Sequence, residues 1–242
     1  MKKSISAILC SILLCLPFGV LSYAQQERAP LYVALGDSIA TGAGMKNKDG
    51  RKDDAYAWIV AQEKGYDLRM LAKGGDISAG LLDKVTHHEL IREAIQKADI
   101  ITVSIGGNDF LNEADIFALI LRGLWHDYSQ MQPVLDLFRD NFGRAVAEIR
   151  ALNPDAMLIV QTVYNPLSPL LLSVHKTFGV GAQGLNAVIT DYLAENPGAY
   201  LVADVYTAFK CRVGMVRIDF KHPSRRGHAV IAGVVMDVID AA

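Results

Sequence analysis

Four short polar clusters hold the residues of this sequence best suited to chemistry: Gly36-Asp37-Ser38, Gly74-Gly75, Gly106-Gly107-Asn108-Asp109 and Asp219-Phe220-Lys221-His222-Pro223. A serine hydroxyl is a weak nucleophile until a neighbouring base takes its proton. His222 can be that base if an acceptor holds its other ring nitrogen. Asp219 stands three residues earlier, a spacing at which side chains in a helix-like turn face one another. Its carboxylate would fix the imidazole tautomer and stabilise the imidazolium formed as Ser38 attacks. Acyl transfer also needs donors aimed at the developing oxyanion. The backbone N–H of Ser38, that of one glycine of the Gly74-Gly75 pair, and the Asn108 amide can supply three. Glycine suits the second position, because a missing Cβ allows unusual dihedrals and close backbone approach.

Chemistry of this kind requires elements that bring the four clusters together. Short apolar runs alternate with longer amphipathic stretches along the chain. Strands are expected at Leu31–Leu35, Asp67–Leu71, Ile100–Ile105, Met157–Val163 and Tyr200–Ala203. Helices are expected at 54–64, 78–97 with a break near His87-His88, 131–152, 183–195 and 228–239. Strands separated by helices imply a parallel sheet covered on both faces, and near-continuous apolar strands agree with that. An open parallel sheet binds ligands beyond the carboxyl ends of its strands. Three of the clusters follow a predicted strand directly or within two residues, and the fourth lies between the fifth strand and the last helix. The segment from Phe110 to Tyr128 interrupts the alternation. It reads as a helical insertion over one sheet edge, and its Phe110, Leu111, Ile116, Phe117, Leu119 and Ile120 favour a lipid-like acyl chain as ligand.

The four clusters, in this order, resemble the four blocks of the SGNH/GDSL hydrolases. The resemblance spans nearly the whole chain after residue 24. It implies a three-layer α/β/α sandwich with a flavodoxin-like five-stranded parallel sheet of order 2-1-3-4-5. It implies Ser38 as nucleophile, Asp219 and His222 as orienter and base, and Ser38, Gly75 and Asn108 around the oxyanion hole, with no cofactor and no metal. Two departures from the family pattern stand out. Met70-Leu71-Ala72-Lys73 occupies the place where an asparagine is common, and Ile39 follows the serine in place of leucine. The layout is most similar to the small bacterial lipase/acylhydrolase branch, which includes lysophospholipase-like and thioesterase-like enzymes. Hydrolysis of carboxylic esters through an acyl-serine is the leading expectation. A carbohydrate deacetylase of the same family, or a binding protein that keeps the fold without turnover, are the alternatives.

Composition narrows the partners. The chain has 242 residues, 51% of them apolar, and a formal net charge of −2. With no basic run, nucleic acid is excluded as an expected partner. A small-molecule or lipid ester fits better, with transient contact at lipid aggregates; nothing in the sequence fixes an oligomeric state. Lys2, Lys3 and the apolar stretch from Ile5 to Val20 precede Ser22-Tyr23-Ala24, a signal-peptide pattern with cleavage expected after Ala24. A single domain, 25–242, would then work outside the cytoplasm, secreted or held at the envelope. Of three cysteines only Cys211 would remain, so no internal disulfide is expected. The pair His87-His88 lacks metal-site spacing and reads as a solvated face, and His228 reads as structural. Lys221, Arg225 and Arg226 read as solvated loop charges, with attraction of an anionic head group as the alternative.

Overall fold

Four largely apolar runs and one mixed run, Asp67–Met70, form five strands: β1 Leu31–Gly36, β2 Asp67–Met70, β3 Ile100–Ser104, β4 Met157–Gln161 and β5 Leu201–Ala203. The computed structural model describes residues 28–45, 52–113, 116–124, 126–210 and 212–242. The expected signal segment, Trp125 and Cys211 lie outside the described residues. All strand pairings are parallel, in the order β2-β1-β3-β4-β5, as the resemblance implied. Every residue of β3 is buried, as befits the central strand of a sheet covered twice.

Alternation along the strands sorts side chains to two cores. Val33, Leu35, Ile101, Val103, Leu158 and Val160 face one side. There they meet helices α2 (Ser78–His87), α3 (Glu89–Lys97), α6 (Gln132–Leu152) and α7 (Leu172–Glu195). Tyr32, Ala34, Ile159 and Ala203 face the other, against α1 (Tyr56–Lys64), α8 (Val205–Phe209) and α9 (Arg225–Ala241). Two further helices, α4 (Gly107–Glu113) and α5 (Ile116–Gly123), form the expected insertion. The α4 helix continues from the carboxyl end of central β3 and packs on α6, while α5 packs on α7.

Three helices differ from the sequence expectation. The α7 helix starts eleven positions earlier than 183 because Gly179 and Gly181 read as breakers, whereas the fold uses them for close packing. A Cβ on Gly181 would lie 2.8 Å from Met131 Cε and 2.9 Å from the Phe110 ring. The α9 helix starts at Arg225, three residues early, because Ser224 caps it by accepting the Gly227 N–H at 3.1 Å. The short α8 helix, capped by the Asp204 carboxylate, has no apolar period from which to read it.

His228 ties α9 to α1. Its ring is fully buried, Nδ1 accepts the Tyr56 N–H at 3.3 Å, and Nε2 has no partner. Burial, with the nearby positive charge of His222, Arg217 and Lys52, depresses its pKa from 6.5 to about 4. A depressed histidine stabilises the fold above 6.5, and that contribution is lost as pH falls through about 4. Acidification across this window should therefore cost about 3 kcal/mol through His228 alone. Urea titrations at the two ends should show a smaller acid loss in His228→Gln than in the unaltered protein. Equal losses would remove His228 from this role.

Candidate active site

Each polar cluster leaves the carboxyl end of a strand or meets it there. Gly36 ends β1 with φ of 115°. No other residue fits, since a Cβ would lie 1.9 Å from the Ser104 carbonyl oxygen of β3. The chain then turns sharply: Asp37 N–H donates to Ser104 O at 3.0 Å, and the N–H groups of Thr41 and Ala43 return to the carbonyls of Asp37 and Ser38. Asp37 itself is buried under the turn and accepts the Ile39 N–H at 2.9 Å. Burial pushes its carboxyl up to about 7, helped by the charges of Asp109 and Asp76 and opposed by the Ile39 N–H and Ser104 hydroxyl. A raised acid favours the fold fully below 3.8, and that contribution fades as pH rises through about 7.

The Asp219–His222 loop closes on this turn. His222 Nε2 lies 3.0 Å from Ser38 Oγ, and His222 Nδ1 lies 3.1 Å from Asp219 Oδ2. The expected helix-like turn between them is not what forms. Phe220 adopts φ of 55°, and Asp219 Oδ1 accepts the N–H groups of both Lys221 and His222, at 3.2 and 3.0 Å. This is an Asx-type turn, in which the carboxylate organises its own loop while holding the imidazole. The left-handed Phe220 is the strained residue such a site tolerates because its surroundings hold it. Those surroundings include the Tyr164 hydroxyl, which donates to Lys221 O, and the Val216–Pro223 bridge. Burial tends to raise the Asp219 carboxyl, but the His222 and Lys221 N–H groups and the His222 ring outweigh it and hold the pKa at about 2. Asp219 is thus ionised throughout the ordinary pH range.

The loops carrying Gly74-Gly75 and Asn108 are tethered beside Ser38. Lys73 N–H bonds Gly36 O at 2.9 Å, which holds the Gly74-Gly75 turn against the end of β1. A Cβ on Gly74 would stand 4.0 Å from Ser38 Cβ, while Gly75 makes the turn itself with φ of 78°. Asn108 opens α4, and its Nδ2 donates one hydrogen to Asp76 O at 2.9 Å, leaving the other for a ligand. Asp76 is buried and paired with Lys84. The neighbouring Asp109 accepts the Ser78 N–H and hydroxyl from α2, so the second and third clusters are locked to each other. Asn108 is preorganised by this lattice, as electrostatic stabilisation of an oxyanion requires.

Ser38, Asn108 and His222 open on a mainly apolar cavity. Phe110 and Leu111 of the insertion line it, as expected; the side chains of Ile116, Phe117 and Leu119 lie outside what the structure describes, and Ile120 is not on its wall. Sequence reasoning missed Phe178, Ala182 and Leu185 of α7, and Thr162 to Tyr164 after β4, which complete the wall. The missed signal was the glycine spacing that seats α7 on Phe110. The remaining histidines stay apart from this centre. His87 and His88 lie exposed around Asp83, and His175 bonds the Leu167 carbonyl.

Known proteins share both the sequence and the shape. A family model described as GDSL-like Lipase/Acylhydrolase matches residues 34–230. A Bacillus subtilis protein known as YpmR, itself uncharacterised, is 29% identical over 218 residues, covering 85% of this chain and 80% of its own. The spore germination lipase LipC of Bacillus licheniformis is 25% identical over 212 residues, covering 83% of this chain and 92% of its own. The crystal structure of the lipase Lip_vut3 from a goat rumen metagenome superposes with a TM-score of 0.67 at 23% identity, covering 87% of this chain and 97% of that one. The chain belongs to the GDSL-like lipase/acylhydrolase family, the SGNH/GDSL group of ester hydrolases.

Proposed function

We propose that the protein is a serine esterase acting on lipid-like carboxylic esters through an acyl-serine intermediate. The observation that carries the reading is the continuous relay Ser38–His222–Asp219, at 3.0 and 3.1 Å, opening on an apolar cavity. Ser38 Oγ attacks the ester carbonyl carbon while His222 Nε2 takes its proton. The oxyanion accepts from the N–H of Ser38, the N–H of Gly75 and the Asn108 amide. Collapse expels the alcohol, which receives its proton from His222. Water, deprotonated by the same ring, then attacks the acyl-serine; the acid departs and Ser38 regains its proton. Asp219 holds the ring and neutralises the imidazolium in both halves.

The cavity lining supports an acyl chain rather than a sugar, and the similarity to a spore germination lipase points the same way. A series of p-nitrophenyl esters from acetate to palmitate tests the substrate class. Medium or long chains should be hydrolysed faster than acetate; faster acetate release would favour a deacetylase, and no turnover on any ester would sink the esterase reading. Asn108→Ala should slow the preferred ester by roughly 10²–10³, the usual cost of one oxyanion donor. A loss of only a few-fold would take Asn108 out of the oxyanion hole.

Export is part of the proposal, on the strength of the signal-peptide pattern ending at Ala24. Protein recovered from outside the cytoplasm should begin at Gln25. An intact N-terminus on the exported chain would contradict that cleavage site.

A further inference from the structure

A second cavity, of about 650 Å³, adjoins the first, with Pro166 on the wall of both. The Arg217–His222 loop separates them: Lys221 and His222 line the first, while Arg217 and Phe220 line the second. Four cations, Lys176, Lys210, Arg212 and Arg217, stand on the second cavity, and no carboxylate is on its described wall. That concentration of positive charge is notable in a chain whose net charge is −2. Arg217 is 3.8 Å from Asp219, and Lys176 sits beside the His126 ring at 2.9 Å. Lys210 and Arg212 have no ion-pair partner among the described residues. Concentrated charge of one sign in a concave wall draws in the opposite charge.

Catalytic geometry decides what enters. The leaving alcohol must lie within reach of His222 Nε2, because that ring returns the proton to it. With the acyl chain in the apolar cavity, the alcohol half runs along the loop that carries His222. The second cavity is the other side of that loop. Resting on the esterase reading, we infer that this cavity binds an anionic phosphate group carried on the alcohol half of the ester. An amphiphile is the favoured source over free phosphate. Leu170, Val213 and Ile218 are all more than three-quarters exposed, and each is on the cavity wall or next to a residue that is. Exposed apolar side chains bordering a cationic pocket suit a molecule with a chain at one end and a phosphate at the other.

The test compares 1-decanoylglycerol with 1-decanoylglycerol 3-phosphate, both below their aggregation concentrations, with p-nitrophenyl decanoate reporting on esterase activity alone. At low ionic strength the phosphorylated ester should be preferred in kcat/KM by about tenfold, as hydrogen bonds to a charged group allow. In the Lys210→Gln/Arg212→Gln double variant the ratio should fall towards one, and added salt should lower it in the unaltered protein. A ratio near one in the unaltered protein, or the same ratio in the variant, overturns the inference while leaving the esterase reading intact if p-nitrophenyl decanoate is hydrolysed. Inorganic phosphate should inhibit decanoylglycerol hydrolysis only weakly. Inhibition by inorganic phosphate at concentrations matching the KM of the phosphorylated ester overturns the amphiphile assignment. Absence of turnover on all three esters overturns both readings.

Discussion

Ser38→Ala should reduce ester turnover by at least roughly 10⁴-fold, because nothing else in the site can form the acyl intermediate. The three proposed oxyanion donors and the apolar cavity would survive the change, so binding should persist while the chemical step fails. KM, or the affinity for a non-hydrolysable ester mimic, should therefore move little compared with kcat. Thermal unfolding should also be close to unchanged. The Ser38 backbone, which anchors the turn through the Ala43 N–H and the Thr41 hydroxyl, is untouched by the substitution. Activity within tenfold of the starting level would remove Ser38 from its role. Equal loss of activity and folding would instead make it structural.

Gly36→Ala should be among the most damaging single-methyl additions in the chain. Its φ of 115° is one that residues with a Cβ rarely adopt, and the new methyl would lie 1.9 Å from the Ser104 carbonyl oxygen. Ser104 belongs to the central strand, which cannot retreat without disturbing β1 and β4 together. Backbone strain and overpacking together should cost about 4 kcal/mol. For a domain of this size that lowers Tm by roughly 10 °C. Gly75→Ala is the internal control: φ is also positive, at 78°, but the methyl would meet nothing within 4 Å. It should cost about 1–2 kcal/mol through strain alone. Similar stability losses at Gly36 and Gly75 would mean that the close β1–β3 approach is not what demands glycine.

The three inner strands were legible because burial on both faces leaves little choice of residue. Ile100–Ser104 reads as a strand from its β-branched run and is buried throughout. The polar clusters were legible because each interrupts an apolar pattern at the point where a parallel sheet exposes its carboxyl edge. What stayed hidden depends on contacts between distant segments. Gly181 is a breaker by its local preference and a helix residue by its approach to Phe110 and Met131. The Asp219–His222 spacing correctly paired the two side chains but implied a helical turn. The actual loop, with left-handed Phe220, is held by Tyr164, which is far away in sequence. The cationic cavity was invisible for the same reason. Lys176 comes from α7, whereas Lys210, Arg212 and Arg217 come from the chain after α8, and none forms a basic run.

Covalent capture of the nucleophile tests the central claim most directly. A fluorophosphonate ester exchanges its fluoride for an activated serine oxygen, with the base taking the serine proton. Mass spectrometry of the digested protein should then find one phosphonyl group, on the peptide that contains Ser38, with ester hydrolysis lost in proportion to labelling. Undiminished hydrolysis after full labelling of Ser38, or inactivation with the adduct on another residue, would contradict the account.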